Sequence, residues 1–265
     1  IGDDEDTIEL TFQPMAIAAG DTDRDKIDEI IALGAFGNVA SCSVLTGQCA
    51  SLAFQGATGL DVAAGDVDGD GFFEPIFLLE NGNSANLYVW QAEPDTEDED
   101  ISELLQHDVQ RVTAGDLGED GVDEVMVLDE GGAFDDATII TYSLEGGAPM
   151  EIGSQVVNDE VRDLEAGDLD MDNSDELAVV RETGVVDVYQ GVGGSNIQLA
   201  SSHQLQVSAA PFRIAVPDFD GDSPSSRLID DEPALLAGQA VPAMVLHLPP
   251  YDAEFSLGES GASYG

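Results

Sequence analysis

The segment AAGDVDGDGFFEPIFLL, residues 63–79, sets Asp66, Asp68 and Asp70 at alternate positions and adds Glu74 just before an apolar run. Carboxylates spaced so tightly repel one another unless a positive charge sits among them. Alternate residues of a tight loop can turn their oxygens towards one centre. Gly69 and Gly71 supply the backbone freedom such wrapping needs. Only oxygen donors are present, with no His or Cys among them. That donor set excludes zinc and copper and favours calcium over magnesium.

The same pattern recurs along the chain: IAAGDTDRDKIDEIIAL from Ile17, VTAGDLGEDGVDEVMVL from Val112, LEAGDLDMDNSDELAVV from Leu164, and a divergent IAVPDFDGDSPSSRLI from Ile214. The leading aspartates are Asp21, Asp66, Asp116, Asp168 and Asp218, at intervals of 45, 50, 52 and 50 residues. Counting each loop from its first aspartate, three loops carry acids at positions 1, 3, 5 and 9. These are Asp21, Asp23, Asp25 and Glu29; Asp66, Asp68, Asp70 and Glu74; and Asp168, Asp170, Asp172 and Glu176. Position 7, occupied by Ile27, Phe72, Val122 or Ser174, offers a backbone carbonyl, or a hydroxyl in the case of Ser174.

The third loop has Asp116, Asp120 and Glu124 but Gly118 at position 3, a gap that Glu119 or water would have to fill. The fifth has Asp218, Asp220 and Asp222, then Pro224 and Ser226 where a ligand is wanted. Two readings stand for it: weak binding, or an acid of the Asp230, Asp231, Glu232 run folding back. An EF-hand begins in the same way but needs an acid at position 12 between two helices. Position 12 here is Ala32, Phe77, Val127, Val179 or Ile229, so that alternative fails. Three to five calcium ions are expected.

Each loop is followed by an aliphatic run (EIIAL, PIFLL, EVMVL, ELAVV), then by a second strand-like segment such as LYVWQ or TIITYSL, then by a weaker third. Gly, Asn, Asp and Ser punctuate them. Helical periodicity is weak, and only DISELLQHDVQ, residues 100–110, suggests a short helix. Four short strands per unit of about 50 residues predict an all-β fold: a β-propeller of about five four-stranded blades that bury their faces against each other. An open β-solenoid or a string of independent modules are the rival arrangements. The expected units are residues 8–58, 59–108, 109–160, 161–210 and 211–265, forming a single domain. Cys42 and Cys49, in SCSVLTGQC, are expected to staple a short hairpin by a disulfide, which would suit an oxidising compartment. Tyr88 and Trp90 read as blade-core aromatics, with a sugar-stacking platform as the alternative.

The loops with their flanking strands resemble the FG-GAP and VCBS-type calcium-binding repeats of integrin-alpha-like β-propellers. The resemblance runs through roughly residues 10 to 230. It implies a propeller whose loops, between the first two strands of a blade, each hold calcium. It also implies a secreted or cell-surface protein engaged in adhesion or ligand binding. The acids missing from loops three and five depart from the family pattern. Five repeats are also fewer than integrin propellers have, so further blades lie outside this chain or the propeller is smaller.

Composition narrows the partners. The 265 residues include 55 Asp and Glu against 7 Lys and Arg, for a formal charge of −48, and 43% are hydrophobic, enough for a sizeable core. Nucleic acid and anionic membrane surfaces are excluded as partners by that charge. Five divalent ions would bring it only to −38 (−48 + 10). No apolar run is long enough to cross a bilayer, and membrane insertion is not expected. The chain opens at Ile1 rather than Met, which suggests a mature product or an excerpt of a larger secreted chain. His107, His203 and His247 sit in no catalytic or metal pattern, and no nucleophile elbow or phosphate-cradling loop occurs, so no enzyme is expected. The expected function is an extracellular, calcium-binding module for recognising a protein or glycan ligand. A self-assembling subunit of an extracellular polymer or surface layer is the alternative, and a polysaccharide-active scaffold the second alternative.

Overall fold

The computed structural model describes residues 8–82, 84–90, 101–105, 109–130, 136–144, 147–170, 172, 174–192, 196–204, 211–215, 234–237 and 244–245. Those residues form only strands, turns and irregular segments, so the sequence repeats become repeated antiparallel sheets. Blade one contains β1 (Pro14–Gly20), β2 (Glu29–Gly34), β3 (Asn38–Ser43) and β4 (Cys49–Ala53). Blade two contains β5 (Thr58–Gly65), β6 (Glu74–Asn81), β7 (Ser84–Val89) and β8 (Ile101–Leu105). Blade three contains β9 (Val109–Gly115), β10 (Glu124–Asp129), β11 (Ala137–Ser143) and β12 (Met150–Val157). Blade four contains β13 (Val161–Gly167), β14 (Glu176–Arg181), β15 (Val185–Val192) and β16 (Asn196–Gln204). The fifth repeat departs from the expected four strands: its described residues form a three-stranded sheet of β17 (Pro211–Ala215), β18 (Ala234–Ala237) and β19 (Met244–Val245).

One expected element is corrected. Within the segment read as helical, Ile101–Leu105 is strand β8 and Val109 opens strand β9. The reason is tertiary: β8 pairs with β7 from Ala85↔Leu105 to Val89↔Ile101 and completes the outer edge of blade two. Cys42 and Cys49 face one another in the β3–β4 ladder and are joined by a disulfide.

In blades two to four both faces of the central strand are covered, because one looks at the preceding blade and the other at the following one. Ala16, Ile31, Leu33 and Val39 of blade one meet Val62, Phe77 and Leu79 of blade two. Ile76, Leu78 and Leu87 of blade two meet Val112, Val125, Val127 and Ile140 of blade three. Met126, Leu128 and Ile139 then meet Leu164, Leu177 and Val179 of blade four. This is why EIIAL, PIFLL, EVMVL and ELAVV are continuously apolar rather than alternating. The apolar residues at loop position 12, Ala32, Phe77, Val127 and Val179, are fully buried in these layers. Tyr88 packs edge-on to Phe54, with ring centroids 4.4 Å apart, and Trp90 packs against the same cluster, so both belong to the core.

The innermost strands β1, β5, β9 and β13, with Ile214 of β17, surround a cavity of about 370 Å³. Their crowding explains the small residues before each loop. A Cβ on Gly65 would come within 2.6 Å of the Ala114 Cβ and 2.9 Å of the Asp123 carboxylate. One on Gly115 would come within 2.7 Å of both the Ala166 Cβ and the Asp175 carboxylate. Gly20 meets Ala64 and Phe73 in the same way. The Ala-Gly pair of one blade is therefore fitted to the Ala-Gly pair of the next. Blade one leaves its leading face open among the described residues: Ile17 is 68% exposed, whereas the equivalent Val62, Val112 and Leu164 are 6%, 4% and 2% exposed.

Gly65→Ala and Gly115→Ala are each expected to destabilise the fold by about 1–3 kcal/mol through overpacking against the alanine and aspartate side chains of the next blade. Gly118→Ala, whose Cβ would meet its nearest neighbours at 3.6–3.7 Å, is the near-neutral control. Denaturant midpoints of the three variants check the contrast.

Candidate metal centres

The ladder between the first two strands of each blade ends at the same pair: Gly20↔Glu29, Gly65↔Glu74, Gly115↔Glu124 and Gly167↔Glu176. Each loop is thus the connection between an inner strand and its neighbour, and all four start and stop in the same register. The buried glutamate at position 9 closes the loop by accepting the amide of position 2. The bonds run from Thr22 to Glu29 (3.0 Å), Val67 to Glu74 (3.1 Å), Leu117 to Glu124 (3.0 Å) and Leu169 to Glu176 (2.9 Å).

The first aspartate holds the far side of the turn. Asp21 accepts the amides of Asp25 and Lys26, Asp66 that of Gly71, Asp116 those of Asp120 and Gly121, and Asp168 that of Asp172. The position 5 carboxylates of Asp25, Asp70, Asp120 and Asp172 each accept the amide of position 7: Ile27, Phe72, Val122 and Ser174. Positions 4 and 6 adopt left-handed backbone, with φ of 77° and 91° at Gly69 and Gly71, 56° and 88° at Glu119 and Gly121, and 60° and 72° at Arg24 and Lys26. Loop two meets this demand with glycines, and loop one meets it at a cost with two large side chains.

Three loops bring three carboxylates together, with ligand oxygens all within 4.8 Å of one another. They are Asp21, Asp23 and Glu29; Asp66, Asp68 and Asp70; and Asp168, Asp170 and Glu176. Asp25, Glu74 and Asp172 belong to the same loops but lie outside these closest sets. In loop three Asp116, Asp120 and Glu124 form no such set among the described residues, and Glu119 is exposed rather than turned in to compensate. Gly118 stands where the missing carboxylate would be. A Cβ there would lie 3.6 Å from Glu124 Oε1 and 3.7 Å from the Asp120 carboxyl group, which is ordinary contact. Asp218, Asp220 and Asp222, with Asp230, Asp231 and Glu232, lie outside the described residues. So do His107, His247 and the acidic segment EPDTEDED, residues 93–100.

Burial sets the electrostatics. Desolvation, with Asp68 the next cause, pushes the Glu74 carboxyl up to about 9. The same desolvation takes Glu176 up to about 8 and Glu124 to about 7, each opposed by the amide bond it accepts. Glu29 and Asp170 are raised in the same direction, again by burial first. Without a cation Glu74 and Glu176 hold protons near neutral pH. A divalent ion would supply the charge that water no longer supplies.

Sequence reasoning passed over the residues that tie one loop to the next. Position 8 is aspartate in three repeats: Asp28, Asp123 and Asp175. Asp123 accepts the amide of Asp66 (2.7 Å), and its own amide donates to the Asp66 carbonyl (2.9 Å). Asp175 does the same for Asp116, at 2.8 and 2.9 Å. In blade two the residue is Phe73, whose amide still reaches the Asp21 carbonyl at 3.1 Å. There Arg24 replaces the carboxylate clamp. It pairs with the Asp70 carboxylate at 2.8 Å, bonds the Asp70 carbonyl, and lies 3.1 Å from the centroid of the Phe72 ring. Recurrence at position 8 was a visible signal. Its partner, a backbone amide some 57 residues away, was not.

Solved structures share this architecture. The chain is similar to BBS1N in complex with ARL6DN, in a crystal soaked with lead, at a TM-score of 0.58 and 12% identity, covering 87% of this chain and 65% of that one. The mercury-soaked crystal of the same complex gives a TM-score of 0.55 at 13% identity, covering 83% and 61%. The fold is a β-propeller. This chain spans less than two thirds of the length of those solved chains. No family model matches it, and no curated protein does. The comparison corrects the expected extracellular or cell-surface location. The propellers found are BBS1N domains in complex with ARL6DN, and none of these matches is an adhesion repeat. The physical reason is that a propeller and its acidic loops carry no cellular address, so location did not follow from them.

Because the buried glutamates bind protons more tightly in the folded than in the unfolded chain, their contribution is favourable below the unfolded value of about 4.5. It is lost as pH rises through about 7, 8 and 9. Protein stripped with chelator is therefore expected to lose melting temperature across that window, and Glu74→Gln to flatten the upper part of the fall. Melting curves in chelator from pH 4.5 to 9 check this, and a flat or rising profile would show the carboxylates to be solvated.

Proposed function

We propose that this propeller is a calcium-stapled recognition module that binds a protein partner and performs no catalysis. The observation that carries the proposal is the threefold recurrence of three carboxylates gathered within 4.8 Å at the same place in blades one, two and four. The donors fit calcium: all are oxygens, several come from one short loop, and the backbone wraps around them. Asp21, Asp23 and Glu29 would hold one ion, Asp66, Asp68 and Asp70 a second, and Asp168, Asp170 and Glu176 a third. Asp25, Glu74 and Asp172 stand close enough in sequence to complete each shell. The loop pattern itself supports kinship with the FG-GAP and VCBS repeats.

Calcium here fixes turns and offsets repulsion. Three ions leave the chain at −42 (−48 + 6), so a protein partner with a basic surface is the complementary one. Partner binding is supported by the protein complex that the similar BBS1N propeller forms with ARL6DN.

Calorimetric titration of chelator-stripped protein with calcium is expected to give at least three sites. Each should add about 2.7 kcal/mol of stability at a free concentration of a hundred times its dissociation constant. Asp66→Ala and Asp168→Ala should each remove one ion, and Gly118→Asp should add one by completing loop three. An absence of binding, or binding that leaves the melting temperature unmoved, would overturn the calcium reading.

A further inference from the structure

The loops lie side by side at one end of the propeller, and the contacts between them run through the residues that begin and end each candidate centre. Asp66 and Asp116, the first carboxylates of loops two and three, have both backbone polar groups held by the next blade. Asp123 grips the N–H and C=O of Asp66, and Asp175 those of Asp116. Each gripping residue is followed directly by the loop-closing glutamate of its own loop, Glu124 or Glu176. A cation that fixes one loop therefore fixes the clamp that orients the first carboxylate of its neighbour. Between loops one and two the linkage is Arg24, anchored on Asp70 and Phe72, together with the Phe73 amide bond to Asp21.

We propose that Asp123 and Asp175, with Arg24 at the first seam, are positioning residues that couple the loops so that calcium loads them cooperatively around the propeller. The inference rests on the calcium reading above and deepens it. None of the three residues belongs to the closest carboxylate sets, so each acts through another group. Coupling of this kind is reciprocal: if filling loop four tightens loop two, filling loop two must tighten loop four by the same factor. Gly118 makes loop three the weak link between the centres of blades two and four. Completing that loop should strengthen the relay as well as add a site.

The test separates coupling from binding. Wild-type protein is expected to take up calcium with an isotherm steeper than independent sites allow. Asp123→Ala is expected to bind the same number of ions with a slope near one and a half-saturation on the order of ten-fold higher. Asp123→Asn, which keeps an acceptor oxygen, should recover part of the slope. Arg24→Ala alters a side chain that is 44% exposed, and it carries the same test at the first seam if Asp123→Ala does not fold. Gly118→Asp should steepen the isotherm beyond wild type. Hydrogen exchange provides a second readout, because protection of the Asp66 amide at sub-saturating calcium should fall in Asp123→Ala while the ion count stays constant. A wild-type isotherm no steeper than independent sites, or variants that keep the wild-type slope, would overturn the coupling and leave the calcium reading standing. Failure to bind any calcium would remove both.

Discussion

The close approach of neighbouring inner strands is the constraint on which the rest of this molecule depends. Sheets that twist and share apolar faces around an axis must crowd at the inner edge. Here the crowding leaves no room for a side chain at Gly20, Gly65 or Gly115. That contact fixes how far each blade is rotated from the last, and with it the stacking of Ile76 and Leu78 on Val125 and Val127 further out. It also places the end of every inner strand beside the start of its neighbour's second strand. The acidic loops sit at that corner. A residue at loop position 8 can therefore reach the backbone of the previous loop, and Asp123 and Asp175 do so.

Electrostatics is the opposing force. With 55 acids and 7 basic residues, the chain cannot neutralise itself through ion pairs, and Arg24, Arg111 and Arg181 are placed where carboxylates are buried or crowded, while Arg162 pairs with the exposed Glu160 and Glu182. Arg181 meets the fully buried Asp187, which also accepts the Ser202 hydroxyl at 2.5 Å. Arg111 approaches the buried Asp163 at 3.3 Å on the inner ring, where Asp163 also receives the amide of Ile214 from the next blade. Arg24 spans the first two loops. Elsewhere backbone amides do part of the work that cations do in more balanced proteins: the carboxylates at positions 1, 5 and 9 of the four described loops each accept one or two N–H groups of their own turn. These amides hold the loop in shape but leave the net charge of each centre unchanged, which is why a divalent ion suits it.

Seams differ in how they are closed, and the differences follow single residues. Blade two has Phe73 in place of an aspartate, so its seam with blade one gives up the carboxylate clamp and gains an arginine stacked on Phe72. Loop three has Gly118 in place of an acid and gathers no three-carboxylate set, yet it keeps the amide bonds of a complete loop, including Leu117 to Glu124. Folding of the turn and gathering of the ligands are therefore separable. The turn needs positions 1, 5 and 9, and the gathered centre needs a carboxylate at position 3 as well.

Much of this was legible in the sequence because it is periodic and local. The intervals between Asp21, Asp66, Asp116, Asp168 and Asp218 specify repeated units. The continuously apolar runs after each loop specify strands covered on both faces, and the alternating acids specify a turn that converges on one point. The spacing also fixed Gly118 as the defect of loop three, since position 3 is reached by counting. Three things depended on tertiary packing. Ile101–Leu105 became a strand because β7 needed an edge partner, against a pattern that favours helix when read alone. The glycines before loops one, two and three, Gly20, Gly65 and Gly115, are demanded by a neighbouring blade about 50 residues away, not by their own turns. The position 8 aspartates found backbone partners that local sequence does not mark, because every residue carries an amide and only the fold decides which one arrives. Sequence alone determined the repeat, most of its strands and the clustering of carboxylates in each loop, since each follows from local or periodic residue patterns. Only the tertiary structure decided how the loops touch, since that depends on the angle between blades packed against each other.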